Sequence, residues 1–363
     1  MSTSPAPTEI GFRYGTSQSS LTNEVFYNKG ITTASGSYSV EISGLTSGTT
    51  YYYQAFMSVW NGTEYKEIVS SVAAFATAND GQAAPGYLGC YEVPAIPTLS
   101  GSGTDGTNSG RGDNWYRYYT TNSKQQVATH TFSHPSTSKQ TRNYTVLYDG
   151  NNYAPLWVAY AMHATNWPDN QQTNSGWTSD PAINLTQQTG LDNASTVGYS
   201  RGHMVSSQER RSSENQNSQT YYYTNQAPQW QNSFNDGIWS TMEGKIVANA
   251  PSGRDTLYVV TGVLYEGTTT KTLPSGSLNV PIPSHFYKCL MKCSFNTSGT
   301  MTAAKGIAYV YTNEAHSNQN YYDSQFVTTI DAIEQRAGFD FFANVPSSLQ
   351  EAAERTSTAL WSY

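Results

Sequence analysis

Residues 198–245 read GYSRGHMVSSQERRSSENQNSQTYYYTNQAPQWQNSFNDGIWSTMEGK. His203 stands between glycine and methionine, three tyrosines follow, and an Asn/Gln-rich turn leads to Asn235, Ile238, Trp239, Met242 and Glu243. Those last five recur at the i, i+3, i+4, i+7, i+8 spacing of one helical face. Asn235 and Glu243 are therefore expected to project from roughly the same side of a helix. A histidine, a carboxamide and a carboxylate gathered this way read as a site, with His203 as general base, because an imidazole of ordinary pKa about 6.5 accepts a proton near neutrality without special tuning.

The rest of the chain limits what that site can act on. At 363 residues, two domains and a sizeable core are expected. Only 12% of residues are charged while Tyr alone counts 28, a composition of β-rich exported proteins and not of disordered chains, which lack aromatics. A net charge of -7 excludes a broad basic face for nucleic acid. Action on a polyanion then has to rest on a local site and a metal ion. No apolar run approaches the ~20 residues of a membrane span, and MSTSPAPTEI lacks the apolar core of a signal peptide. A secreted or cell-surface location is expected, with the export address absent from this chain.

Along the sequence, residues 8–77 alternate as short strands at 10–14, 38–42, 51–59 and 67–75, with Asn61-Gly62 as a hairpin turn. Residues 1–78 are read as one domain, 79–86 as a linker and 87–363 as a second domain. The stretch 100–113, SGSGTDGTNSGRGD, reads as an exposed loop whose Arg111-Gly112-Asp113 tripeptide is a chance occurrence. Strands resume near residue 126, and Asp149-Gly150-Asn151-Asn152 supplies the turn between 144–148 and 156–162. His130, His134 and His163 lack the close pairing of a metal site and read as surface or internally satisfied. Cys90, Cys289 and Cys293 read as free thiols, since on one strand the latter two are roughly 13 Å apart. Residues 208–217 are expected to form a solvated loop, and Tyr221–Tyr223 a buried strand.

Two resemblances follow from motifs. LTSGTTYYYQA, with Leu45, Gly48, Thr49 and Tyr51, resembles the entry to a late strand of fibronectin type III sandwiches, over about 70 residues against the ~100 of a complete one. It implies a small all-β, sandwich-like first domain, a spacer in preference to a binding module working through Trp60 and Tyr65.

The second is carried by Ser200-Arg201-Gly202-His203-Met204, then Thr224-Asn225-Gln226-Ala227-Pro228-Gln229, then Phe234-Asn235-Asp236-Gly237-Ile238-Trp239 with Glu243. This ordered set resembles the non-specific DNA/RNA endonucleases of the ββα-metal class. NYTVLYDGNNYAPLWVAY, DTLYVVTGVLY, VPIPSHFYKCLMK and IEQRAGFDFFANVP resemble that family's strands and closing helix, so the likeness spans roughly residues 87–349. It implies an α+β fold, a central mainly antiparallel sheet flanked by helices, and hydrolysis of DNA and RNA phosphodiesters. It also implies Mg²⁺, with Mn²⁺ or another divalent cation as substitutes, held by Asn235, with Glu243 acting on the ion's water shell. Arg201 is expected at the substrate phosphate and Asn225 behind the histidine loop.

The sequence departs from the family pattern at Ser200, where an acid is usual, and at Tyr153 and Val247, where arginines are usual. Arg142, Arg210, Arg211 and Lys245 are the candidate substitutes for phosphate contact. These departures define the alternative expectation, a catalytically weak or inactive nuclease-fold surface protein that binds nucleic acid or another ligand.

Overall fold

The computed structural model describes residues 7–27, 40, 42, 50–60, 62–76, 88–96, 99–100, 103–164, 176–186, 188–267 and 271–361. They divide into two units, Met1–Gly89 and Cys90–Tyr363. The first unit holds an antiparallel sheet of β1 (Glu9–Gly15), β2 (Asn23–Phe26), β3 (Thr50–Trp60), β4 (Tyr65–Val69) and β5 (Ala73–Ala76), ordered β2-β1-β3-β4 with β5 also paired to β3. Trp60 opposes Tyr65 across the expected hairpin. Residues 38, 39 and 41 of the expected strand at 38–42, the fibronectin-like Leu45, Gly48 and Thr49, and the linker 79–86 lie outside the described residues.

The second unit is built on a nine-stranded sheet, antiparallel throughout. Its strands are β6 (Thr104–Asn108), β7 (Asp113–Tyr119), β8 (Gln125–Ser133), β9 (Gln140–Asp149), β10 (Ala154–Met162), β13 (Thr256–Leu264), β16 (His285–Phe295), β17 (Met301–Thr312) and β18 (Val327–Thr328). Neighbours in the sheet are mostly neighbours in the chain, and the Asp149–Asn152 turn joins β9 to β10 as expected. The large exception is β10 to β13, which pair directly (Trp157 opposite Gly262) although a long excursion separates them in sequence. That excursion carries β11 (Tyr199–His203), α1 (Glu214–Ser218), β12 (Gln226–Trp230) and α2 (Ser240–Ala248). A further hairpin, β14 (Thr272–Ser275) with β15 (Leu278–Pro281), follows β13, and α3 (Ile330–Ala337) and α4 (Ser347–Glu354) close the chain. The unit is α+β.

Period-two alternation decides what each sheet face buries. Tyr144, Val146, Tyr160, Val259, Phe286, Leu290 and Tyr309 are buried in one cluster with Ile238, Trp239, Met242 and Ile246 from the α2 region. Each such side chain contributes roughly 1.5–3 kcal/mol, so the helix is docked by its apolar stripe and not by intrinsic propensity. Residues of opposite parity are also buried, and Trp157 and Tyr287 meet Phe339 and Phe341 at 6.5 and 5.6 Å between ring centroids.

Three expectations fail here, each for a polar reason. Residues 104–108 form β6, held by backbone pairing to β7 with Trp115 packed over Gly106, where a Cβ would meet the indole at 2.1 Å. An edge strand of this kind needs no apolar side chains. Arg111 and Asp113, read as exposed, are 7% and 1% exposed. Residues 208–217 are largely buried, because their side chains satisfy one another and the backbone: Asn217 Nδ2 donates to the carbonyls of Ser207 and Arg210 at 2.8 and 3.0 Å, and Gln216 Oε1 accepts from Ser212 N at 2.9 Å. Tyr221–Tyr223 lie in short turns, with only Tyr222 buried.

His130 is satisfied, as expected, but inside the protein. Its Nδ1 lies 2.7 Å from Asp113 Oδ2 and its Nε2 3.1 Å from Asp180 Oδ2. Tyr222 donates to Asp113 at 3.2 Å, and Thr224 donates to Asp180. Burial opposes the imidazolium, but Asp180 and Asp113 outweigh it and push His130 up to about 10. The folded value lies above the unfolded ~6.5, so this stabilisation is complete below pH ~6.5 and is lost as pH rises through about 10. Urea unfolding is expected to show stability falling by a few kcal/mol between about pH 7 and 10. His130→Gln should abolish that one-proton slope; an unchanged slope would place it elsewhere.

Candidate active site

The site is assembled where the excursion leaves the sheet. β11 pairs antiparallel with β12, with Arg201 opposite Pro228 and His203 opposite Gln226. Alternation places Arg201 and His203 on one face of β11 and Ser200 on the other. Ser200 Oγ donates to the Gln229 carbonyl at 3.2 Å. Position 200 is thus not beside the histidine, and the missing acid there removes no neighbour of the ring. Gly202 is required by packing, since a Cβ would meet Gln229 Cβ and Oε1 at 2.4 Å each.

The chain leaving His203 is fastened by Asn225, which is fully buried. Its carbonyl accepts from Met204 N at 3.0 Å and its Oδ1 from Val205 N at 3.0 Å. Its Nδ2 donates to the carbonyls of Val205 and Thr220 at 2.9 and 2.8 Å. Asn225 therefore acts on the histidine through the backbone.

Behind His203 lies a buried polar cluster. Lys288, on β16 and fully buried, donates to the Met204 carbonyl at 3.1 Å and to Tyr160 Oη at 2.9 Å, and stands 3.5 Å from Glu209 Oε2 and 3.9 Å from Glu243 Oε1. Tyr160 donates to Glu209 Oε1 at 2.8 Å, and Glu209 Oε2 caps Ser206 at its N and Oγ, 2.9 and 3.0 Å. Burial pushes Glu243 up to about 8, Lys288 acting against that rise and Glu209 adding to it. Burial, with the nearby Lys288 ammonium, pulls His203 down to about 4. The His203 Nε2 is shut from solvent and has no hydrogen-bond partner. Trp177 and Tyr221 flank the ring at 4.6 and 5.1 Å.

Asn235 lies on an irregular helical turn, Gln231–Trp239, not on a continuous helix with Glu243 as the spacing implied. Ser233 has φ of 60° and Gly237 a φ/ψ of -122°/-113°, which break the run before α2 begins. Glu243 sits in the first turn of α2, buried, with Gln208 Nε2 3.3 Å from its Oε2 and its Oε1 without a hydrogen bond. Asn235 keeps one long bond, its Nδ2 to Gln231 Oε1 at 3.4 Å. A half-buried carboxamide and an unsatisfied buried carboxylate oxygen are hard donors of the kind Mg²⁺ accepts sparingly, so the residues fit such an ion. The one trio of clustered acids among the described residues, Asp331, Glu334 and Glu354, belongs to α3 and α4 instead.

Arg201 donates to the Gly190 carbonyl at 2.5 Å and to Asp192 Oδ1 at 2.8 Å, at an open groove of about 430 Å³ lined also by Ser200, Gln231 and Asn232. Lys245 is exposed on α2, and Arg211 is half-buried. Arg210 is 1% exposed and is not brought to this groove. Sequence reading missed Lys288, Tyr160, Glu209 and Trp177. A signal existed for the first: Lys288 falls between Phe286 and Leu290 on the core parity of β16.

The family model for DNA/RNA non-specific endonuclease matches residues 111–348. The chain belongs to this family. The DNA/RNA non-specific endonucleases are hydrolytic, metal-dependent nucleases, and membership sets the motif residues above in that context. Nuclease C1 of Cunninghamella echinulata var. echinulata is 25% identical over 63% of this chain and 93% of its own length. A nuclease of Syncephalastrum racemosum is 29% identical over 42% of this chain and 49% of its own length, about half of that relative. Mitochondrial endonuclease G of Caenorhabditis elegans is 29% identical, over 45% and 54%. The crystal structure of an EndoG/EndoGI complex overlaps with a TM-score of 0.48 at 24% identity, over 57% of this chain and 85% of that one.

Two measurements test this geometry. NMR titration without metal should find His203 neutral down to about pH 4, against an ordinary value near 6.5; a midpoint near 6.5 contradicts its burial. Asn225→Ala should cost about 2–4 kcal/mol by stranding the Val205 and Thr220 backbone groups, read as a lower urea midpoint at unchanged m. A loss below about 0.5 kcal/mol shows that the clamp does not hold that chain.

Proposed function

We propose that the protein is an exported metal-dependent endonuclease that hydrolyses DNA and RNA phosphodiesters with little sequence specificity. The carrying observation is the placement of His203 on the same strand face of β11 as Arg201, ahead of the helical segment with Asn235 and Glu243. In this reading residues 87–363 are the catalytic domain and 1–78 a β-rich spacer. The low charge and Tyr-rich composition support export. Among the described residues no helix is long and apolar enough to cross a membrane.

In this reading the His203 imidazole accepts the proton of the attacking water. Its lowered pKa keeps it neutral at physiological pH, ready to accept, and Asn225 and Lys288 hold the backbone beyond it through Val205 and Met204. Asn235 Oδ1 and Glu243 would hold Mg²⁺, Glu243 through the ion's water shell; bound there, the ion supplies positive charge against the scissile phosphate and the leaving oxygen. Arg201 binds a phosphate oxygen with the guanidinium edge left beside Asp192, and that pairing fixes its orientation. Lys245, exposed on α2, and half-buried Arg211 would add weaker backbone contacts in this reading. The sequence carries no zinc-finger or sequence-reading helix motif, which supports low specificity.

Plasmid and RNA incubated with Mg²⁺ are expected to smear, chelator to stop the reaction, and His203→Ala to lower the rate about 10²–10⁴-fold. Intact substrate across pH and several divalent ions, with binding retained, would favour the quiet binding protein instead.

A further inference from the structure

The cavity between β9, the end of β10 and the segment after β11 is about 120 Å³ and is lined by Thr141, Arg142, His163, Arg210 and Gln216 among others. One water needs ~10–15 Å³ on this measure, so the space admits several waters or one tetrahedral oxyanion. No carboxylate lines it. Arg142 has its counter-ion in buried Glu92. Arg210 has none among the described residues: at 1% exposure its guanidinium donates to neutral acceptors, the Glu209 and Ala161 carbonyls at 2.7 and 3.3 Å and Met162 Sδ at 3.2 Å. Its Nε has no acceptor. Burial pulls Arg210 down to about 10, with Tyr160, Glu209 and Glu92 only partly opposing the fall and Arg142 adding to it. A buried charge of this sort is costly until an opposite charge joins it. Gln216 adds a donor, because its Oε1 is already taken by Ser212 N and Oγ at 2.9 and 2.7 Å, leaving its amide N–H groups.

We infer that this cavity is a binding site for a phosphate-sized oxyanion, taken either as free inorganic phosphate or as the terminal phosphate of a nucleic-acid fragment. None of His203, Asn235 or Glu243 lines it, so the site is separate from the residues proposed for catalysis.

The test is a thermal-shift titration with sodium phosphate against sodium chloride of equal ionic strength, with EDTA present so that nothing is cleaved. Tm should rise with phosphate beyond the chloride control, following mass action. Arg210→Met removes the charge but risks misfolding, so the deciding variant is Gln216→Glu, which keeps the acceptor for Ser212 and places a carboxylate beside Arg210. Its Tm without phosphate should equal or exceed wild type, and its phosphate-dependent rise should vanish. Comparing 5′-phosphorylated with 5′-hydroxyl dinucleotides assigns the source: a rise confined to the phosphorylated one names the fragment terminus, and a rise with inorganic phosphate alone names the free ion. No phosphate-specific rise in wild type, or an equal rise in Gln216→Glu, overturns the inference.

Discussion

The constraint on which the site depends is a fully buried ammonium. Lys288 occupies a core position of β16, between Phe286 and Leu290, where desolvation opposes charge. It persists because Tyr160, the Met204 carbonyl, Glu209 and Glu243 surround it. Each of these belongs to a different piece of the site: the strand before the excursion, the exit of the histidine strand, the buried segment after it, and the helix. Removing one partner of such a cluster typically costs about 3–5 kcal/mol, because the remaining charge is left uncompensated. Placement of Met204 behind His203 and of Glu243 on α2 thus follows from one charge that must be satisfied. That requirement ties the ββα unit to the central sheet more specifically than the apolar contacts of Ile238, Trp239 and Met242 can.

Two histidines of this structure show how surroundings assign roles. His130 is fully buried and His203 half-buried with its Nε2 shut off, yet one is pushed up to about 10 and the other down to about 4. The difference lies in the neighbours: two carboxylates clamp His130 through both ring nitrogens, while aromatic rings and a lysine charge surround His203. A permanently charged imidazole can hold Asp113 and Asp180, and through them Tyr222 and Thr224, next to Asn225 in the chain. A neutral imidazole can accept a proton, which is the role proposed for His203.

What was legible in the sequence was whatever local rules control. The Asp149–Asn152 turn, the β3–β4 hairpin and the alternation of β9, β10, β13 and β16 are short-range properties, whereas the fold class came from the family resemblance of the motifs. The His203, Asn225 and Asn235 motifs were legible because they are contiguous. The misreadings concern polar satisfaction, which depends on partners far along the chain. Gln216, Asn217 and Arg210 look like a solvated loop until the carbonyls and hydroxyls they meet are known, and Asp113 looks exposed until His130 is placed against it. The supposed continuous helix from Asn235 to Glu243 failed at Gly237, whose φ/ψ no spacing argument contains.

The same reasoning changes the weight of the departures from the family pattern. An acid at position 200 would stand on the strand face opposite His203, so its replacement by serine, with Oγ on the Gln229 carbonyl, leaves the histidine's surroundings as they are. The carboxylate beside the motif arginine comes instead from Asp192, which holds Arg201 at 2.8 Å from outside the strand. A carboxylate there has a cost and a use. It neutralises part of the guanidinium charge, and it fixes the planar donor fork beside the groove that Arg201 lines. In a protein of net charge -7, attraction at a distance is already small, so in the proposed function phosphate binding would rest on short-range contacts and on a metal ion.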